Sequence, residues 1–583
     1  MKFPWLLVLI SYLAFPLITA ASPNVVVFLT DDQGWGDLSI HGNRNLATPH
    51  IDSIGEKGAL FENFYVCAVC APTRAEFLTA RYFPKTGVSG VSTGEGRINP
   101  DETTIADIFK AAGYATGAFG KWHNGTQSPY HPNDRGFDEF YGFTSGHWGA
   151  YFSPPLDHNK TKVKGNGYVI DDFTDHAIRF IEENKDEPFF CYVPYNTPHS
   201  PMIIDDEWFD KFAEANPEMK FNDESKEDLN MTRAALAMVE NIDWNVGRVL
   251  ETLRKHDLEE DTIVLFFSDN GPNSFRWNGG MKGRKGTIDE GGLRSPFLIQ
   301  WPKGIKAGSV INQVTSGLDL LPTLAELAGI EVETAKPIDG RSFAALLNNP
   351  NAAWPSRNLF NMWRSRISIR TDRFRLDNDG ALFDIIEDRG QTTNVADQYP
   401  ELVDELSKAA ASFSEEMHEY YEQFAERPFA VGFDRSTTLP ARDGVQEGPS
   451  ITRSSKAPNN SFFENWKSTE DSITFSVDVA ADGAFDAIVY YTCREGDLGA
   501  TIRLSEEGGD HTEAKVVEAF DPPFYDNSKE RMENSHYIVK DFTPLRLGSL
   551  TLRKGHQTLR LTAPEIVGDE AIDVHSVELV VKE

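Results

Sequence analysis

Only four cysteines occur in 583 residues, which excludes a fold held by a disulfide framework. Basic residues are scarce too: 56 against 89 acidic ones, a formal net charge of −33 and a pI near 4.8. That shortage excludes a nucleic-acid binder, which needs a basic face, and electrostatic docking on an anionic membrane. Beyond residues 1–21 no apolar run approaches the roughly 18 residues of a membrane span. Internal repeats and low-complexity tracts are missing as well. What is present is ordinary globular composition, 40% apolar and 25% charged. At about 150 residues per domain the length points to roughly four domains, a rule that large α/β domains break.

The chain opens MKFPWLLVLISYLAFPLITAAS. One lysine, an apolar run and then small residues make the shape of a secretory signal peptide, residues 1–21, cleaved after Ala20 or Ala21. Pro4, Ser11 and Pro16 interrupt the run and disfavour a permanent span, and no cysteine follows to carry a lipid. The mature protein is expected to be secreted or periplasmic, without a stable membrane anchor. Asn-x-Ser/Thr sequons occur at Asn124, Asn159, Asn230 and Asn459.

Several apolar runs end abruptly in polar residues. NVVVFLT ends in Asp31-Asp32, YATGAFG in Lys121-Trp122-His123, PFFCYVPYN in Pro198-His199 and DTIVLFFS in Asp269-Asn270. Continuous apolar strands suit a parallel sheet covered on both faces. Helical patterns lie between them, including TTIADIFKAAGY and AALAMVENIDWNVGRVLETLRKH. Alternating strands and helices predict an α/β layered fold, whose ligands gather beyond the carboxyl ends of the strands. A smaller α/β subdomain is expected at about 302–430. Residues 431–458, rich in Gly, Pro and Ser, read as a linker. Residues 459–583 change to short alternating strands, the pattern of an all-β sandwich.

Asp31, Asp32, Asp269 and Asn270 are hard oxygen ligands at two strand ends. Crowded carboxylates repel unless a cation lies between them, and an oxygen-rich set suits Ca²⁺ or Mg²⁺ better than Zn²⁺. A helix cap or a turn is the plain alternative for any one of them. Cys70 opens Cys70-Ala71-Pro72-Thr73-Arg74, and Pro72 favours a first helical turn. The helix dipole and Arg74 would favour a thiolate or another anion there, against the reading as a buried structural cysteine. Lys121, His123, His199, Lys285 and Arg294 are each, alone, more commonly solvated charges or ion-pair partners. Together around a cation they are what a polyanionic leaving group such as sulfate requires.

These residues resemble the sulfatase family of the alkaline-phosphatase superfamily. The resemblance rests on NVVVFLTDDQGWGDLS, CAPTRAEFLTAR, GYATGAFGKWHNG, HPNDRGFDEFYGF, NTPHSP, FFSDNGP, GRKGTIDEGGLRSP and SGLDLLPTLAELAGI, in the family's order over residues 24 to about 410. It implies an alkaline-phosphatase-like mixed sheet sandwiched by helices. It further implies that a formylglycine-generating enzyme converts Cys70 to formylglycine, which with Asp31, Asp32, Asp269 and Asn270 would hold one Ca²⁺. Arg74 would stabilise the aldehyde hydrate, and Lys121 and His123 would contact it. His123 would act as base for sulfate release, and His199 and Lys285 would grip the ester and assist the leaving alkoxide. One hydroxyl of the hydrate would attack sulfur and the other would expel sulfate, a route closed to Ser or Thr. The sequence departs from the family at Ala80, where Gly is usual, and at Thr73, where Ser is commoner.

A sulfated carbohydrate is the expected substrate, with His147, Trp148, Tyr151, Arg276, Trp277, Trp363 and Arg364 as candidate pocket residues and loop packing as their alternative. Rival readings are a phosphodiester or phosphonate monoester hydrolase of the same superfamily, and a carbohydrate-binding pseudoenzyme. Trp466, Tyr490, Tyr491 and Phe524 are candidate stacking residues in the sandwich. If Cys70 is modified, Cys67 with Cys191 is the one pairing within the catalytic portion. An acidic body acting on an anionic substrate implies capture that improves as salt screens repulsion.

Overall fold

The computed structural model describes residues 22–146, 149–456, 459, 461–532 and 537–582. The expected signal peptide, residues 1–21, lies outside them. A ten-stranded sheet organises the chain, in the order Ser309–Ile311, Ala59–Phe61, Phe297–Gln300, Thr262–Ser268, Asn24–Thr30, Phe189–Pro194, Ala115–Lys121, Glu139–Phe143, Pro155–His158, Thr161–Lys164. The strands from Thr262–Ser268 through Glu139–Phe143 run parallel. Phe297–Gln300 and Pro155–His158 flank them antiparallel. The sheet is therefore mixed, as the family resemblance implied, and not wholly parallel as the apolar runs suggested. An apolar run reports burial on both faces, which NVVVFLT and TIVLFFS do show, and is silent on strand direction.

Helices cover both faces. Cys70–Thr79, Ile105–Ala111 and Leu320–Leu327 pack into one core, and Pro49–Lys57, Val169–Glu183 and Leu229–Lys255 into the other. In Val169–Glu183 the spacing of Val169, Ile170, Phe173, Ala177, Phe180 and Ile181 turns one apolar stripe to the sheet.

Two expected boundaries move. The subdomain does not begin at about 302, because Ser309–Ile311 is an edge strand of the main sheet and Leu320, Leu321 and Leu324 join its core. The separate four-stranded antiparallel sheet starts at Leu359–Trp363, with the helix Pro400–Gln423 packed near it. Residues 431–458 are not a linker. Phe429–Val431, Ser436–Pro440, Val445–Glu447 and Thr452–Arg453 are strands paired into the two six-stranded sheets of the sandwich. Gly, Pro and Ser are tolerated because these strands are short, and the only proline inside them, Pro440, is the last residue of its strand.

The sandwich core holds Trp466, Phe475, Tyr491 and Leu561. Trp466 and Tyr491 are thus core residues and not stacking platforms. Tyr490 donates its hydroxyl to Glu578, and Phe524 alone of the four is well exposed.

Candidate active site

Register builds the site. Thr30 pairs with Ser268, so Asp31-Asp32 and Asp269-Asn270 leave adjacent parallel strands side by side. All four are buried. Asp32 takes a left-handed backbone (φ 66°), a conformation an Asp accepts at modest cost. Its amide donates to Asp269 Oδ1 at 3.2 Å, and its carbonyl accepts from Arg276 Nη2 at 3.1 Å. Asn270 Nδ2 donates to Asp32 Oδ1 at 2.8 Å.

Cys70 is the first residue of the helix Cys70–Thr79, which is buried along its whole length. Thr73 ties that helix to the strand edge: its hydroxyl donates to the Asp269 carbonyl at 2.5 Å and accepts from the Cys67 amide at 2.8 Å. Arg74 donates twice to Asp269 Oδ2, at 3.1 and 2.8 Å, and once to the Lys121 carbonyl at 2.7 Å. Lys121, at the end of its strand, pairs with Asp31 at 2.6 Å. Lys285 pairs with Asp32 Oδ1 at 2.6 Å, and His199 Nε2 lies 3.6 Å from Asp32 Oδ2. The site thus sets three buried carboxylates against three cations.

Ligand atoms of Asp31, Cys70 and Asp269 lie within 4.8 Å of one another, as do those of Asp31, Asp32 and His199. Asp31 Oδ1 and Asn270 Oδ1 are buried without a hydrogen-bond partner among the described residues. Burial opposes ionisation of Asp31, but Lys121, His199, Arg74 and Lys285 hold its carboxyl far below the usual range. Burial and then the Asp31 charge push Asp269 up to about 7, against Arg74 and Lys121. Two facing carboxylates of this kind ionise together only with a cation between them. Oxygen-rich ligands and orphaned oxygens fit a hard divalent ion such as Ca²⁺.

Four expectations change. Burial pushes the Cys70 thiol up, against Lys121 and Lys285, so the helix end does not make it a thiolate. Arg294 is not at the site; it lies in a buried cluster with Glu290 and Tyr65. Arg276 is no substrate ligand. It is buried and bound to Asp37 through Nε at 2.9 Å and Nη2 at 2.6 Å. Tyr151 is likewise structural, its hydroxyl donating to the His199 carbonyl at 2.9 Å. Trp277 is half-buried, and Arg364 is exposed with its guanidinium 5.7 Å from the Trp363 ring. His147 and Trp148 lie outside the described residues. Cys67 and Cys191 are both buried free thiols.

His123 is buried in a left-handed conformation (φ 65°), with Nε2 2.9 Å from the Val91 carbonyl. Burial, then Lys121, pushes its pKa well below the usual value. Burial also lowers His199, against the pull of Asp32. For Lys285 burial disfavours charge, yet Asp32 and Asp31 hold it protonated. Asn124 is not a glycan site, since its buried amide donates to the carbonyls of Ala71 and Gly96. Sequence reasoning missed two neighbours supplied by the sandwich, Asn459 beside Val91 and Tyr537 within electrostatic range of Lys285 and Asp32. No local signal marks them, because they lie hundreds of residues from the motifs.

The sulfatase family model matches residues 23–330, and the model of the N-sulphoglucosamine sulphohydrolase C-terminal region matches residues 284–416. Both matches stop before the sandwich. N-acetylgalactosamine-6-sulfatase of Sus scrofa is 31% identical over 375 residues, 58% of this chain and 68% of that protein. Steryl-sulfatase of Mus musculus is 29% identical over 422 residues, 56% of this chain and 65% of that protein. Among solved structures, Ps i-CgsB in complex with k-i-k-neocarrahexaose superposes with a TM-score of 0.62 at 28% identity, over 69% of this chain and 98% of that one.

Proposed function

The chain belongs to the sulfatase family of sulfuric ester hydrolases, and from that premise we propose that it is an exported enzyme cleaving sulfate esters of a carbohydrate, with Cys70 matured to formylglycine and one Ca²⁺ beside it. The observation that carries this reading is the meeting of Asp31, Cys70 and Asp269 ligand atoms within 4.8 Å, at a cysteine in the C-x-P-x-R pattern. Bound there, the cation would offset carboxylate charge and polarise a sulfate oxygen, and the matured Cys70 would supply an oxygen nucleophile.

The chain's own residues do the rest. Three carboxylates against three cations leave the site balanced, so a dication makes it net positive, matching an anionic ester. Lys121 and Lys285 hold charge for the sulfuryl oxygens. Arg74 locks Asp269 and the Lys121 carbonyl in one orientation. His199 Nδ1 faces the Ser200 carbonyl and must donate to it. Its Nε2 is then the atom that takes and returns a proton at the leaving oxygen. His123, kept neutral by burial, accepts a proton when sulfate is released.

The carbohydrate reading draws support from two relatives, an N-acetylgalactosamine-6-sulfatase and a protein in complex with k-i-k-neocarrahexaose. The test is a Cys70→Ser variant and the mass of the peptide spanning Cys70. Cys70→Ser is expected to fold normally and to lose turnover by at least ~10³-fold, because an ester on serine lacks the second hydroxyl. An unmodified thiol in fully active protein refutes formylglycine. Paired rates on aryl sulfate and aryl phosphate esters separate the phosphoryl-transfer rival, and defined sulfated oligosaccharides identify the sugar.

A further inference from the structure

The sandwich is fastened to the loop that faces His123. Arg97 donates from Nη1 to the Pro428 carbonyl at 2.9 Å, and its guanidinium lies 4.8 Å from the Phe429 ring. Arg427 reaches back to the Gly87 carbonyl and to Asn99 Oδ1. Beyond His123 along the chain, Gln127 donates to the Ala430 carbonyl at 3.2 Å and accepts from the Thr438 amide at 3.0 Å. Between these fastenings Asn459 enters. It is buried, and its Nδ2 donates to the Val91 carbonyl at 2.6 Å. That carbonyl also takes His123 Nε2 at 2.9 Å.

We propose that Asn459, a residue of the sandwich, is a positioning residue for His123. A carbonyl oxygen only accepts, so both nitrogens that meet Val91 donate to it. His123 is thereby held as the Nε2–H tautomer, and Nδ1 carries the lone pair. Nδ1 is buried and has no hydrogen-bond partner among the described residues. It is the nitrogen left to accept a proton. The Asn459 amide fixes where the Val91 carbonyl points, and so fixes the ring's orientation. The packing leaves no slack: a Cβ at Gly146 would lie 2.1 Å from Asn459 Nδ2 and 2.6 Å from His123 Nε2. The sandwich therefore acts on the catalytic centre and is not an appendage. The sequon at Asn459 is occupied by this contact and carries no glycan in the folded protein.

The inference rests on the role of His123 in the proposed hydrolysis, and its test has two arms on the full chain. A small aryl sulfate carries no sugar, so any effect on its turnover reads events at the catalytic centre and not glycan contact. Asn459→Asp keeps the shape and removes the donor; kcat is expected to fall 10- to 100-fold, on the order seen for outer-shell partners. KM should stay within about twofold, since no substrate contact is touched, while the unfolding midpoint is expected to fall because a buried oxygen then faces the Val91 carbonyl; kcat is therefore compared well below the unfolding transition. Gly146→Ala, which drives Asn459 and His123 apart, should reproduce the same split even if Asn459→Asp folds poorly. Wild-type kcat in either folded variant overturns the proposal, as does a fall in kcat that only tracks a fall in the unfolding midpoint. The second arm needs no turnover. In ¹⁵N-histidine-labelled protein the His123 signal, assigned by its loss in His123→Asn, should report the Nε2–H tautomer, and Nδ1–H overturns the proposal. Wild-type protein inactive on aryl sulfate, yet with the expected tautomer, counts against the hydrolase reading and not against the positioning of His123.

Discussion

At Arg276 a guanidinium that looks from its neighbours like a ligand for an anionic sugar is committed inside the protein, to Asp37 and to the carbonyl of Asp32. Arg276→Ala leaves Asp37 buried and unpaired, so a loss of about 3–5 kcal/mol in denaturant unfolding is expected. The released Asp32 carbonyl should also weaken retention of calcium, which metal analysis after dialysis checks. Calcium itself should stabilise the protein: removal by a chelator is expected to lower the unfolding midpoint, on the scale of about 2.7 kcal/mol for an ion at 100 times its Kd, and readdition should restore it. Glu76 makes a different prediction. Burial raises its carboxyl from 4.5 to about 8. The folded state then binds its proton more tightly than the unfolded one, so this contribution to stability is full below pH 4.5 and is lost as pH rises through about 8. Glu76→Gln should flatten that part of the stability profile, whose slope is at most ~1.4 kcal/mol per pH unit. An unchanged slope between those values counts against a protonated Glu76.

At the scale of elements, the helix Cys70–Thr79 depends on Thr73, which couples its first turn to the strand end at Asp269. Thr73→Ser keeps the hydroxyl and should behave as wild type, in keeping with serine being the commoner residue there. Thr73→Val has the same shape but orphans the Cys67 amide and the Asp269 carbonyl, for a loss of about 1–3 kcal/mol and slower turnover on aryl sulfate. Equal stability of the valine and serine variants would remove this hinge from the account. At the C-cap of the same helix Ala80 has φ 56°, a left-handed turn that glycine enters more easily, and nothing in the structure explains the alanine there.

For the whole molecule, the −33 charge and the buried ion pairs of the site act at different ranges. Long-range repulsion weakens as the Debye length drops from ~10 Å at 0.1 M salt to ~3 Å at 1 M, whereas the buried pairs are screened far less. Capture of a sulfated polymer should therefore rise with moderate NaCl. Turnover that falls steadily from low salt counts against this. A cut at residue 455 is no clean removal of a module, since it leaves Phe429–Val431 and Ser436–Pro440 without the strands Ser472–Val479 and Asp573–Val581 that they pair with. Such a truncation is expected to aggregate or to lose activity even on small sulfate esters.

The residues of the site were readable because each stands at the end of an apolar run or in a short dense motif, where local chemistry and spacing carry the signal: Asp31-Asp32, Cys70 with Arg74, Lys121 with His123, Asp269-Asn270. Layered α/β order followed from the same runs, since continuous apolar strands must be covered on both faces. Strand direction, the true start of the subdomain and the pairing of residues 431–458 were not readable, because they depend on which distant strand lies alongside. Nor was the fate of a polar side chain: nothing around Arg276 separates a ligand from an ion-pair partner, and nothing around Asn459 separates a glycan acceptor from a brace beside His123. The sequence by itself determined which chemistry the chain can assemble, through motifs whose residues act within a few positions of each other. Only the tertiary structure decided which charges are already paired and which domain reaches the site, because burial and contact between residues as far apart as Val91 and Asn459 are properties of packing.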